Sequence, residues 1–225
     1  LLEWGNGTYA SKVNVDQNNN YINARFESGL DNSPSFDNVL FNMETNTLEL
    51  IDIGLNSLYA MDCWALSEIA EILNKTEDKI HLINEYNRVK NKINNEMWDE
   101  ETGLYYDKYW DGTLSRCMTP TCFYPLIAGI APKDRADRIV KEHLLNPNEF
   151  WGTYVIPSVA RNHPAFKDND YWRGRIWAPM NFLVSEGLKR YGYNEHSYEF
   201  SKKSVNLFIE QYQKDGHIHE NYNSV

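Results

Sequence analysis

Three stretches of this sequence gather residue types that can do chemistry. Arg25-Phe26-Glu27-Ser28-Gly29-Leu30-Asp31-Asn32-Ser33-Pro34 sets two carboxylates four apart, around a glycine and ahead of a proline, where a helix would end. A carboxylic acid among apolar and aromatic groups is kept protonated by desolvation, which suits a general acid. Asp31 would serve equally as the N-cap of a helix beginning near Ser33. Tyr171-Trp172-Arg173-Gly174-Arg175-Ile176-Trp177 places two guanidinium groups and two indoles before a helix, with Gly174 allowing a ligand close to the backbone. Its other reading is a cation–π cluster that pins the loop. Gly216-His217-Ile218-His219-Glu220-Asn221-Tyr222-Asn223 is polar and aromatic. Its His-x-His followed by Glu could hold a metal, although no third ligand stands at a recognisable spacing. Asp16, Asn18 and Asn20 have the spacing of a calcium loop with Glu27 at its twelfth position, but Tyr21 replaces the required glycine. A structural calcium site and a plain Asn-rich turn are the two expectations there.

The elements that must position these residues are mostly helical. Between Leu48 and Leu73, Leu55, Leu58, Tyr59, Cys63, Leu66, Ile69, Ala70 and Leu73 recur at helical spacing. Thr76-Glu77-Asp78 offers an N-cap and first-turn acids for a second helix, running to about Met97. Leu104–Asp107, Asp111-Gly112 and Thr113-Leu114 suggest a short hairpin. Thr119-Pro120 and Pro132 open further helices, and two more span about 176–191 and 195–213, broken at Gly192. The fold class is all-α, built from helical hairpins. Residues 1–35, 97–118 and 146–172 read as long connections, and long loops in a compact domain are usually functional. They carry Trp4, Trp98, Trp110, Trp151 and Trp172, five of the seven tryptophans, which suggests a stacking surface for a planar or sugar ring.

Composition narrows the partners. The 225 residues hold 22 Lys and Arg against 32 Asp and Glu, a formal net charge of −10. An acidic chain without a basic cluster repels phosphate, so nucleic acid is excluded as an expectation. No run approaches the ~18 consecutive apolar residues of a membrane helix. An aromatic fraction of 14% argues for an ordered core. Cys63, Cys117 and Cys122 are odd in number and form no CxxC pair, which favours a reducing compartment, and cytoplasmic residence is expected. The chain opens at Leu1 without an initiator Met or signal pattern, as a piece of something longer would.

The run Glu27-Ser28-Gly29-Leu30-Asp31-Asn32-Ser33-Pro34 closely resembles the acid-bearing motif of the glycoside hydrolase clan that contains family 63 and the trehalases. Tyr171-Trp172-Arg173-Gly174 with Ile176-Trp177 resembles its sugar-binding segment, and Glu220-Asn221-Tyr222-Asn223 its base-bearing motif. Leu55–Ala60, Phe150-Trp151-Gly152 and Ile156–Val159 fall in the same order. The resemblance implies an (α/α)6 toroid with the site at one mouth. Asp31 would be the general acid and Glu220 the general base of an inverting cleavage of an α-glucoside or α-mannoside. That mechanism needs the two carboxyls roughly 6.5–9.5 Å apart, with water between. Trp151, Trp172, Arg173, Gly174, Trp177 and Tyr222 would bind an oligosaccharide or small glycoside, and Arg173 near Glu220 would keep the base charged. No organic cofactor is implied. The family usually shows Pro where this chain has Arg175, and continues into another helix where this chain ends five residues beyond Glu220. About six helices are readable, half of a toroid, so the missing N-terminal half is the expected partner. Two other functions stay open: a non-catalytic carbohydrate-binding or structural domain, and a metal hydrolase using His217 and His219.

Overall fold

The computed structural model of this protein describes residues 20–225. Its first element, α1 (Asn20–Glu27), is a short helix where the sequence reads as loop. Tertiary contacts make it: Arg25 donates from Nε to the Asp31 carbonyl at 3.0 Å and from Nη2 to that of Ser33 at 3.3 Å, and the Tyr21 hydroxyl donates to Phe36 O. The helix stops at Glu27, and Gly29 at φ 72° turns the chain into the acid motif. Ser33, not Asp31, caps the following turn Pro34–Phe36, accepting from Ser35 N. That leaves the Asp31 side chain free of a capping role.

Strands are minimal. β1 (Phe41–Asn42) and β2 (Thr47–Leu48) form a hairpin, β3 (Leu50–Ile51) pairs with β6 (Lys108–Tyr109), and β4 (Trp98–Asp99) pairs with β5 (Leu104–Tyr105). The expected turn at Asp111-Gly112 is present: Tyr109 N donates to Thr113 O, and Lys108 bridges Leu114.

The body is helical. α2 (Ile53–Ile72) and α3 (Thr76–Glu96) form the expected hairpin and pack closely on each other. The face that α2 buries is small: Ser57, Ala60, Cys63, Ser67 and Ala70 let α3 approach with Tyr86, Val89 and Ile93. Its larger apolar side chains Leu55, Tyr59, Leu66, Ile69 and Leu73 stay exposed. The Asp52 carboxylate caps α2 at Leu55 N, 2.5 Å. α3 begins after Lys75 and has no side-chain cap, so Thr76 does not play that part; Glu77 and Asp78 do occupy its first turn.

A turn at Pro120–Phe123 leads into α4 (Tyr124–Ile127), and α5 (Lys133–Arg138) continues as a π-helix at Ile139–Leu144. After a long loop come α6 (Ala178–Arg190) and α7 (Asn194–Asp215), with Gly192 at φ 79° in the turn between them. α4 packs on α2 and α6, and α6 on α7. The core runs through all of them, from Ile53 and Ile93 through Tyr105, Phe123 and Leu126 to Phe150, Val184 and Phe200. Among the described residues, no helix is long and apolar enough to cross a membrane.

Candidate active site

One short segment organises the site, a tight turn at 170–173 that runs into extended chain at 175–177. Ile176 exchanges both backbone hydrogen bonds with Tyr222, at 2.8 and 2.9 Å, and is bridged on its other edge to Pro157. Ser158 N donates to Arg175 O, and Ser158 Oγ accepts from Gly174 N. Residues 170–177 are thus held by the 155–158 loop on one side and by the segment after α7 on the other. Gly174 sits at φ 109°, and a Cβ there would lie 2.7 Å from the Phe166 carbonyl oxygen. Glycine is required by this backbone contact rather than by a ligand.

The acid loop is latched onto the same stretch. Asn32 Oδ1 accepts from Trp172 N at 2.8 Å, while its Nδ2 donates to Asp170 Oδ2 at 3.0 Å and Asp170 O at 3.3 Å. Arg173 adds a second tie, donating from Nη1 to Asn32 O and Asp37 and from Nε to Asp168, the two carboxylates each at 2.7 Å. Arg173 therefore binds these carboxylates and not Glu220, correcting the expectation that it holds the base charged. Sequence reading passed over Asn32, Asp37 and Asp168. Asn32 had a signal, since it follows Asp31 inside the recognised motif; Asp37 and Asp168 had none.

Asp31 lies half-buried at the head of this latch. Burial pushes its carboxyl above the usual aspartate range, opposed by a backbone hydrogen bond, with the negative charge of Glu220 raising it further and Arg25 lowering it. Glu220 is close enough to be felt electrostatically although 189 residues separate the two in sequence. It is exposed, and the hydroxyl of Tyr171, the residue between the Asp170 and Trp172 held by Asn32, donates to its Oε1 at 3.3 Å.

The indoles behave differently from the sequence expectation of open stacking faces. Trp172 and Trp177 stack on each other, centroids 3.7 Å apart and planes within 5°, leaving 8% and 6% of each exposed. Tyr171 meets Trp177 edge-on at 4.8 Å, and Leu30 and Met180 complete the cluster. Trp177 Nε1 donates to Tyr171 O, whereas the buried Trp172 Nε1 has no acceptor. Trp151 is not brought here; it packs against Phe200, with the Lys203 ammonium 5.6 Å from its ring. Tyr222 turns its ring into a separate cluster with Ile176 and Leu207, because its backbone pairing fixes that orientation. A cleft of about 520 Å³ adjoins the acid loop, lined by Glu27, Ser28, Leu30, Asp52, Trp110 and Met180 among others. Neither Asp31 nor Glu220 lines it.

The metal expectations gain little. Asp16 and Asn18 lie outside the described residues, and the Asn20 amide donates to Asn46 Oδ1 at 3.0 Å. His217 and His219 are neighbours, ring centroids 4.4 Å apart, and both contact Asp215. Among the described residues, no group of three or more His, Cys, Asp or Glu could hold a metal ion.

Comparison with known proteins bears on the fold and the family. The mannosylglycerate hydrolase of Thermus thermophilus is 31% identical over 152 residues, covering 64% of this chain and 34% of that protein. The cytosolic neutral trehalase of Kluyveromyces lactis is 33% identical over 192 residues, covering 76% and 23%. The chain thus spans about a third or less of the length of these relatives. Among solved structures, the Thermus thermophilus GH63 mannosylglycerate hydrolase in complex with Tris superposes with a TM-score of 0.68 at 25% identity, over 78% of this chain and 40% of that one. The neutral trehalase of Saccharomyces cerevisiae gives 0.74 at 21% identity, over 96% and 44%. The second likeness speaks to fold alone, and both neighbours are (α/α)6 toroids. The family described as the mannosylglycerate hydrolase MGH1-like glycoside hydrolase domain matches residues 20–225, and the chain belongs to it.

Proposed function

We propose that this chain carries the acid and base of an inverting glycoside hydrolase acting on an α-mannoside or α-glucoside. Asp31 protonates the glycosidic oxygen, and Glu220 activates the water that attacks the anomeric carbon from the opposite face. The observation that carries this reading is the pair itself: a half-buried carboxyl raised above its usual range, within electrostatic reach of an exposed one, both anchored to residues 170–177. Trp172 and Trp177, stacked on each other, form a rigid apolar wall beside them. Relatives named for mannosylglycerate, trehalose and mannosyl-oligosaccharide hydrolysis make those glycosides the first substrates to try.

The exposed apolar stripe on α2, at spacings of four, seven, three and four residues, fits a helical partner. The greater length of the relatives supports helices from the remainder of the enzyme as its cover, completing the toroid and the sugar subsites. Reducing-sugar release by the whole protein, across a panel of α-mannosides and α-glucosides that includes mannosylglycerate, tests the activity. The anomer formed first, followed by NMR, tests inversion. Release of the retained anomer, or of no sugar from any glycoside, overturns the respective claim.

A further inference from the structure

The loop around Asp31 belongs to no helix or strand, and two guanidinium groups hold its shape instead. Arg25 donates to the carbonyls of Asp31 and Ser33, and Arg173 donates to that of Asn32 between them. Three successive carbonyls are thus gripped by arginines that stand far apart in the sequence. One carboxylate joins the two grips. Asp37 Oδ1 lies 3.7 Å from Arg25 Nη2, while its Oδ2 accepts from Arg173 Nη1 at 2.7 Å. Arg173 in turn reaches Asp168 through Nε at 2.7 Å. The four charges alternate in sign along this row.

Asp37 is itself well placed to be the hinge pin of the arrangement. Its N–H donates to Pro34 O at 3.2 Å and closes the turn that follows the acid motif. The Arg25 guanidinium stands 5.6 Å from the Tyr21 ring centre and 6.0 Å from that of Phe36, which steadies it on its inner side. The Asp37 side chain is 36% exposed, and ion pairs so open to solvent add little to stability. What the carboxylate does supply is direction, because a planar guanidinium bound to it is fixed in angle as well as in distance. It also separates two cations that would otherwise repel across the loop.

We propose that Asp37 is a positioning residue for the acid: its carboxylate holds Arg25 and Arg173 where they grip the carbonyls of residues 31–33, and so aims the Asp31 carboxyl at the glycosidic oxygen. The assignment rests on the hydrolase reading above and adds to it a residue that acts through others. A misplacement of about 1 Å at a catalytic group can cost on the order of 10²-fold in rate.

The test uses the whole protein and compares Asp37→Asn with the wild type on two leaving groups. An alkyl α-glycoside needs its oxygen protonated, whereas the matching α-glycosyl fluoride departs with little help from an acid. Asp37→Asn lowers kcat on the alkyl glycoside by about tenfold, part of what a positioned acid contributes, and on the fluoride by less than about twofold. KM stays nearly constant on both, and Asp37→Glu, which keeps the charge, restores part of the lost rate. Amide hydrogen exchange followed by mass spectrometry needs no turnover: in Asp37→Asn, residues 28–36 exchange about fivefold faster, while α7 is unchanged. Exchange in that loop equal to the wild type's overturns the clamp, and a loss of kcat equal on both leaving groups overturns its service to the acid. Failure of the wild type to release sugar from any glycoside strikes the hydrolase reading instead, and the exchange experiment still decides on Asp37.

Discussion

Asp31 and Glu220 carry the same functional group in opposite surroundings. Asp31 follows a helix whose Arg25 holds its carbonyl, lies half-buried, and has its carboxyl raised chiefly by desolvation. Glu220 stands exposed after α7, oriented by a single tyrosine hydroxyl. Two identical groups with environments pushed apart are how a fold distinguishes acid from base. Both are tied to residues 170–177, one through Asn32 and one through Ile176 and Tyr222. Both are thus referred to one short segment, a tight turn at 170–173 followed by extended chain at 175–177, and the helices serve to brace it.

The largest effect comes from erasing the contrast. Asp31→Asn and Glu220→Gln are each expected to lower kcat by about 10²–10⁴-fold, with the thermal unfolding midpoint hardly moved. The two sides differ in pH behaviour. An acid must be protonated to act, so activity falls as pH rises through the raised Asp31 pKa, and that limb disappears in whatever activity Asp31→Asn retains. Steady-state rates across pH check this, and full activity in either variant removes the assignment.

A smaller effect separates the two anchors. Asn32→Ala removes three hydrogen bonds that join the acid loop to Trp172 and Asp170, whereas Tyr171→Phe removes one bond of 3.3 Å to Glu220. Asn32→Ala should cost roughly tenfold in kcat and Tyr171→Phe only about twofold, since three bonds are lost against one and exposure weakens those made to the carboxylates of Asp170 and Glu220. The reverse order would mean that the base side, not the acid side, is the more tightly positioned.

Much of this was legible in the sequence, and the failures have physical causes. α2, α3, α6 and α7 announced themselves by apolar spacing, because long amphipathic helices carry their own signal. The same spacing misjudged which face of α2 is buried: Leu55, Leu66 and Ile69 belong to the exposed stripe, and small residues form the α3 contact. α1 escaped notice because eight residues rich in asparagine fold only through Arg25 and Tyr21 contacts made elsewhere. The motif residues Asp31, Trp172, Trp177 and Glu220 were named from resemblance to a family's motifs. Their connections were not, since the partners Asp37, Asp168 and Asn32 meet Arg173 and Trp172 across about 135 residues of chain or, for Asp168, within a loop of no regular period. Trp151 shows the limit of reasoning from residue type, for its place beside Phe200 depends on how α7 packs.

The smallest expected effect sharpens the difference between the acid proposed at Asp31 and a merely buried carboxyl. Asp107 is more deeply buried, accepts from Ile53 N at 2.8 Å, and meets the Ser35 hydroxyl behind the acid loop. Burial raises its carboxyl well above the ordinary range, and the Asp52 charge raises it further. A raised carboxyl in the folded state means that the stability it contributes is full below the unfolded aspartate pKa of about 4. That contribution is lost as pH rises through the folded value. Asp107→Asn keeps an oxygen for Ile53 N and removes the charge. Its stability relative to wild type should therefore improve as pH rises, reaching about 1 kcal/mol, or about 2–4 °C in Tm, above neutrality. Urea unfolding across pH measures it, and a loss of stability equal at every pH sinks the account. The activity limb assigned to Asp31 should persist in Asp107→Asn, because burial raises both carboxyls but only Asp31 feels the charge of Glu220.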